Sequence, residues 1–141
     1  MAQPSPEDWL GINALFTRYA MALDDGDVAG VVDCFVEDAT VESPVVGSYA
    51  GRAEIRAFAE RIAAVRRAGA QLRHVVGNLA AEVDGNRARA RCYLVTYITR
   101  DGRSELLAPG EYTCELVKAD GRWRFARRVV AMDSAVSLPG G

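Results

Sequence analysis

The sequence predicts an α+β fold in which three helices pack in a curved, mostly antiparallel sheet. Apolar residues recur at helical spacing through the first half of the chain and alternate with a period of two from about residue 72 onwards. Asp-Gly dipeptides interrupt that second half, and such dipeptides form the tight turns between antiparallel strands. Helices first and strands afterwards are typical of α+β proteins, whereas α/β proteins alternate the two.

The first helix is predicted to begin after Ser5 and to end at Asp25 and Gly26. Serine caps a helix, a following proline fits the first turn, and glycine favours the end. The apolar side of this helix comprises Trp9, Ile12, Phe16, Tyr19, Ala20 and Leu23. Asp27 can cap a second, short helix, whose apolar residues are Val28, Val31, Val32 and Phe35.

A short strand over 39–42 and a loop or hairpin over 43–51 come next, and a third helix is predicted over 52–67. Four strands follow, over about 72–83, 87–99, 104–117 and 122–132. Because so many strands cannot stay flat, we expect the sheet to curl around the helices and to line a pocket with its concave face. Residues 137–141 suggest a loose tail, and the length fits one domain over 1–141.

The composition argues against nucleic acid and membranes as partners. The formal net charge is −2, so no general attraction to nucleic acid or to an anionic membrane is expected. Arginines cluster in 87–91 and 122–128, but both clusters lie in alternating patterns in which one strand face meets solvent. No apolar run approaches a membrane span, and the N-terminus lacks the basic and apolar regions of a signal peptide. A soluble, cytoplasmic protein is therefore expected.

The three cysteines, Cys34, Cys92 and Cys114, are odd in number and match no metal-binding spacing. With a single histidine the chain also lacks the usual ligands of a zinc site. We expect buried free thiols, no metal and no organic cofactor.

The single histidine, His74, opens a strand-like segment, and Asp24 lies about fifty residues upstream, where the first helix ends. Imidazole is the side chain best suited to proton transfer at neutral pH. A carboxylate on its second ring nitrogen would fix the tautomer and stabilise the imidazolium. By composition alone Asp25 and Asp27 would serve equally well, and a strand histidine commonly bonds only backbone or water. The function therefore depends on which acid, if any, meets His74.

Six segments, together with the order of the elements, carry a family resemblance. They span residues 18–27, 35–39, 47–55, 73–78, 110–112 and 120–128. Over nearly its whole length the chain resembles the SnoaL-like branch of the nuclear-transport-factor-2-like superfamily. The resemblance implies a cone-shaped α+β half-barrel with a deep pocket. Among the enzymes of that branch, the chain looks most similar to scytalone dehydratases, bile-acid 7α-dehydratases and hexachlorocyclohexane dehydrochlorinases, which perform eliminations.

The resemblance also implies a catalytic set. In those enzymes an aspartate ends the first helix and a histidine lies on the first long strand, and Asp24 and His74 fall at these positions. Tyr19 matches a lysine or tyrosine five residues before the aspartate, and Arg128 matches a basic residue on the last strand. Arg127 points to the opposite strand face, and a bulge would exchange the two arginines. The second pocket histidine of scytalone dehydratases has no counterpart in this sequence.

Four further residues are candidates for substrate binding, namely Asn78, Tyr93, Tyr97 and Tyr112. Tyr93 and Tyr97 share one strand face, and Tyr112 lies on the next strand. If that face is concave, the pocket is apolar and aromatic, which suits a small polycyclic or aromatic molecule such as a steroid, polyketide or terpenoid. The alternative is an ordinary packed sheet face.

The leading functional hypothesis is a cofactor-independent lyase of the dehydratase type. Neutral His74 takes a proton, Asp24 holds the ring, and Tyr19 or Arg128 hydrogen-bonds the departing hydroxide or an enolate. An isomerase or polyketide-type cyclase that uses the same base is a second hypothesis. A non-catalytic module for ligand binding or assembly is a third.

Self-association is the last expectation. The resemblance implies a homo-oligomer, either a trimer or a dimer, that forms through the outer face of the sheet. The apolar residues placed near that face are Cys114, Leu116, Trp123 and Phe125.

Overall fold

The computed structural model describes residues 1–139 and contains, within that range, three helices and six strands. The first half comprises α1 (Pro6–Asp25), α2 (Val28–Asp33), β1 (Phe35–Ser43), β2 (Gly47–Ala50) and α3 (Gly51–Arg67). The second half comprises β3 (Gln71–Asp84), β4 (Arg87–Arg100), β5 (Arg103–Ala119) and β6 (Arg122–Met132). The predicted α+β class is confirmed, and the four long strands agree with their predicted bounds to within two residues. Gly140 and Gly141, the end of the predicted tail, lie outside the described residues.

The strands form one curved sheet in the order β2-β1-β6-β5-β4-β3. Neighbouring strands are antiparallel except β1 and β6, which run parallel, and the sheet stays open with β2 and β3 at its edges. The segment 43–51 contains a hairpin, because Ser43 pairs with Gly47. Asp101 and Gly102 both adopt positive φ, the turn geometry that an Asp-Gly dipeptide favours between strands.

The end of α1 is set by local chemistry and positions the candidate acid. Ser5 caps the start of the helix by accepting a 3.1 Å hydrogen bond from the Asp8 N–H. Gly26 ends it with φ +69°, a left-handed conformation that glycine adopts without a steric penalty. Asp27 then caps α2 through the Gly30 N–H. These caps leave Asp24 in the last turn of α1, on its buried side.

The tyrosines of β4 lie on the outward face of the sheet and not on the inner face that was expected for them. Tyr93 and Tyr97 are 50% and 43% exposed, whereas the alternate residues of the strand are buried. The prediction that these two tyrosines line a concave pocket is therefore wrong. Alternation separates the two faces of a strand but does not say which one meets the helices. The inner face carries Ala88, Ala90, Cys92, Leu94, Thr96 and Ile98.

A bulge in β3 decides which way His74 points. From the pair Asp84–Arg87 to the pair Ala80–Arg91, both strands advance by four residues. From there to the pair Gly77–Tyr93, β3 advances by three residues and β4 by two, so β3 carries one extra residue at this point. Without that residue in the count, His74 would lie opposite Tyr97 and share its outward face. With it, His74 lies opposite Thr96 on the inner face. Bulges re-aim side chains in this way, and they are often found beside functional sites.

The residues expected near the outer face of the sheet are instead in the core. Cys114, Leu116, Trp123 and Phe125 are all less than 5% exposed, and Phe125 meets Phe16 of α1 edge-on at 5.2 Å. The helices cover this face, which the strand pattern alone could not reveal. The large apolar residues exposed on β3, β4 and β5 are Val75, Tyr93, Tyr97 and Leu106. The homo-oligomer stays a prediction. No helix in the described range is both long and apolar enough to cross a membrane.

Candidate active site

The structure brings Asp24 and His74 into direct contact. His74 Nδ1 lies 2.6 Å from Asp24 Oδ1, and both carboxylate oxygens also accept the His74 backbone N–H, at 3.1 and 3.2 Å. Both side chains are about nine-tenths buried. The carboxylate therefore fixes both the position of β3 at this residue and the orientation of the ring.

Local contacts select Asp24 over its two acidic neighbours. The Asp24 carbonyl oxygen accepts from Gln71 Nε2 at 2.8 Å, which ties the end of α1 to the start of β3. Asp25 is exposed and lies 3.9 Å from Arg66. Asp27 is occupied as the cap of α2. The choice that composition left open is thus made by the fold.

The contact with Asp24 sets the hydrogen-bonding roles of the imidazole. A carboxylate only accepts hydrogen bonds, so Nδ1 of His74 carries a hydrogen and donates a hydrogen bond to Asp24. In the neutral ring Nε2 is then the unprotonated nitrogen, able to accept a proton. A partner that fixes the tautomer in this way is the arrangement found in general-base histidines.

A cavity of about 70 Å³ lies against the imidazole. Its polar lining consists of Tyr19, Ser43, His74, Thr96 and Tyr112. Its apolar lining consists of Leu23, Val45, Val46, Phe58, Ile62, Leu72, Leu94, Leu107, Val130, Met132, Val136 and Leu138. The cavity therefore has the makeup of a small-molecule site, with an apolar surround and a few polar groups. Leu138 belongs to the predicted loose tail, so that part of the tail packs against the core instead.

Arg128 is fully buried behind two of the cavity tyrosines. Its guanidinium carbon lies 3.9 Å from the ring centre of Tyr19 and 3.5 Å from that of Tyr112. Nη1 lies 3.6 Å from Cys114 Sγ, while Nε and Nη2 have no hydrogen-bond partner among residues 1–139. Arg127 is on the opposite face, 3.3 Å from Glu42. Arg128 is thus the inward arginine, but the tyrosine rings separate it from the cavity that it was expected to enter.

Burial sets the protonation of these tyrosines. Removal from water raises the pKa of Tyr19 and of Tyr112, and this effect outweighs the opposing influence of the nearby Arg128 charge. Both phenols therefore keep their protons across the physiological range. They are available as hydrogen-bond donors rather than as bases.

Residues 5–129 match the family described as SnoaL-like domain. The chain belongs to this family. It is similar to the structure of a protein of unknown function from Mycobacterium tuberculosis, with 32% identity, a TM-score of 0.81 and coverage of 92% of this chain and 78% of that one. No protein among curated sequences matches.

A structure from Novosphingobium aromaticivorans places this SnoaL-like domain among nuclear-transport-factor-2-like folds, and a second structure from the same organism shares the fold. One is an NTF2-like protein with a cystatin-like fold, with 26% identity, a TM-score of 0.78 and coverage of 96% of this chain and 84% of that one. The other carries a provisional name as a scytalone dehydratase, with 22% identity, a TM-score of 0.79 and coverage of 95% and 94%. This second likeness shows a shared fold alone.

Three of the substrate-binding candidates lie outside the cavity of the SnoaL-like domain. Tyr93 and Tyr97 face outwards, and Asn78 is an exposed residue of the β3 bulge with φ +55°. Tyr112 does line the cavity. The sequence interpretation did not identify Thr96 and Ser43, two polar residues that line the cavity. The pairing of Thr96 with His74 could have been found only by anticipating the bulge, because counting from the turn at Asp84 gives a different partner.

Proposed function

We propose that this SnoaL-like domain is a cofactor-independent lyase that dehydrates a small, largely apolar ring compound. The observation that carries the proposal is the 2.6 Å contact between His74 Nδ1 and Asp24 Oδ1 at the wall of an apolar cavity. Membership of a family that includes dehydratases and isomerases supports the class of reaction.

The proposed reaction needs a single base. Nε2 of neutral His74 removes a proton from a carbon next to a carbonyl group, while Asp24 stabilises the imidazolium that forms. The electron pair of the broken C–H bond forms a C=C bond as the neighbouring C–O bond breaks. The departing hydroxide takes the proton back from His74 and leaves as water, so the enzyme returns to its starting state.

Phenol groups, rather than a direct contact with arginine, stabilise the negative charge that develops on the substrate. Tyr19 and Tyr112 line the cavity and remain protonated, so each can donate to the carbonyl oxygen as it gains enolate character. The charge of Arg128 lies against the faces of both rings in the protein interior, where its electrostatic influence is strong. We assign Arg128 this indirect role in place of the direct one that the resemblance implied.

Loss of water from 3-hydroxy-1-tetralone, which yields 1-naphthol, tests the proposal. His74→Ala removes the base and is expected to lower the rate about 10²–10⁴-fold. Asp24→Asn is expected to lower it as well, because an amide cannot stabilise the imidazolium as a carboxylate does. Asp25→Asn changes the adjacent exposed acid and is the matched control, expected to keep the native rate. The absorbance of 1-naphthol gives the readout.

Other outcomes separate the competing functions. A His74→Ala protein that turns over at the native rate would refute the assignment of the base. Uptake of deuterium from solvent at the carbon next to the carbonyl, without loss of water, would favour the isomerase or cyclase. Saturable binding without either reaction would favour a non-catalytic module.

A further inference from the structure

Some polar groups of the cavity already form hydrogen bonds within the protein, and others do not. Ser43 Oγ accepts the backbone N–H groups of Val45 and Val46, at 3.1 and 3.4 Å. His74 is held through Nδ1 by Asp24. The remaining polar groups are the hydroxyls of Tyr19, Thr96 and Tyr112. Of these three, only Thr96 lies directly opposite His74 in the register of the sheet.

The Thr96 hydroxyl opens into the cavity. The residue is 4% exposed and lines the cavity wall. The side-chain polar atoms of residues 1–139 that are sealed from solvent without a partner are Nε of Arg18 and Nε and Nη2 of Arg128. Thr96 Oγ1 is not one of them, and it takes part in no side-chain hydrogen bond within that range. The small accessible part of this residue therefore includes its oxygen.

The Thr96 hydroxyl differs from its neighbours on the inner face of β4. The other inner residues, namely Ala88, Ala90, Cys92, Leu94 and Ile98, carry no hydroxyl or charge. An oxygen that opens into the cavity can bond water, and a ligand oxygen can take the place of that water. Valine has nearly the same shape as threonine and would pack equally well. The hydroxyl therefore has a use that the packing does not supply.

We propose that Thr96 determines specificity by hydrogen-bonding an oxygen atom of the ligand beside the imidazole. The ligand class is a compact apolar ring system that carries a ketone, and the ketone end is the part that enters the cavity beside His74. A cavity of about 70 Å³ encloses that end only, because a benzene ring alone occupies a cavity of about 150 Å³. The part of the proposal that concerns the reacting carbon rests on the proposed function, since the bound oxygen would lie next to the C–H bond that His74 attacks. The part that concerns binding does not require turnover.

The affinities of 1-indanone and indane, which differ by one carbonyl oxygen, test the binding step. Each is titrated into the full-length protein and followed by amide chemical shifts in NMR. The native protein is expected to bind 1-indanone more tightly. Thr96→Val is expected to weaken 1-indanone about threefold to tenfold, the loss of one hydrogen bond, and to leave indane unchanged. Thr96→Ser keeps the hydroxyl and is expected to keep the preference.

Thr113→Val is the matched control, because Thr113 is an exposed residue of β5 outside the cavity. The proposal is overturned if Thr96→Val weakens both ligands equally, which would indicate a role in shape alone. It is also overturned if Thr96→Val leaves the preference intact, if Thr113→Val removes it, or if the native protein binds neither ligand. A native protein that binds with the expected preference but performs no dehydration would refute the proposed function and leave this inference standing.

Discussion

The two faces of β4 carry different residues in different surroundings. The inner face presents small and aliphatic side chains with a single hydroxyl, and the outer face presents arginines, Val95 and two tyrosines. The inner faces of the neighbouring strands β5 and β6 do carry large aromatic residues, namely Tyr112, Trp123 and Phe125. Residue size alone therefore does not identify the inner face of a strand. The common rule that large aromatic residues are inside gives the wrong face here.

Tyrosine serves a different purpose on each side of the sheet. Tyr19 and Tyr112 are buried, contact the guanidinium of Arg128 with their ring faces and border the cavity. Tyr93 and Tyr97 are half exposed on the opposite side. Four residues of one chemical type thus fall into two groups, because Tyr19 lies on α1 inside the sheet and Tyr112 shares the inner face with Cys92, whereas Tyr93 and Tyr97 alternate to the outer face.

The largest expected difference between the two groups is in stability. Tyr19→Ala removes a ring that packs against Phe35 and Phe125 and leaves a cavity, so it is expected to cost about 3–5 kcal/mol. Tyr93→Ala removes an exposed ring, and the free energy of unfolding is expected to change by less than about 1 kcal/mol. Urea denaturation measures both. Similar losses for the two variants would contradict the assignment of the faces.

Thiol reactivity offers a second test of the inner side. Burial raises the pKa of all three thiols, and that of Cys92 to about 12. A higher pKa means less thiolate at a given pH, so at pH 8 an aromatic disulfide reagent is expected to leave the native thiols unmodified. In urea it should modify all three cysteines. Above about pH 9 the unfolded chain ionises its thiols first, and the folded state loses stability. Rapid reaction of native Cys92 would show that the inner face of β4 is open.

Local chemistry accounts for what the sequence could predict. Caps and turns depend on neighbouring residues, so Ser5, Gly26 and the Asp-Gly dipeptides placed the element boundaries well. The approach of Asp24 to His74 was expected through family position, and composition alone could not distinguish Asp24 from Asp25. The partner of His74 could not be predicted, because it depends on one extra residue within β3. The orientation of Tyr97 could not be predicted either, because alternation along β4 does not say which face meets the helices. A single inserted residue reverses every later assignment of a strand face.

Replacing Asn78 in the β3 bulge is expected to change stability less than replacing Tyr19. Asn78 holds φ +55°, a left-handed conformation that asparagine tolerates and a β-branched residue does not. Asn78→Val is therefore expected to lower the free energy of unfolding by about 1–2 kcal/mol, although the side chain is exposed and no packing is lost. Asn78→Gly should be neutral or slightly stabilising, which separates backbone conformation from loss of the amide. Urea denaturation supplies the values, and equal stability of the valine and glycine variants would show that the left-handed residue, and with it the inward turn of His74, is not where the structure places it.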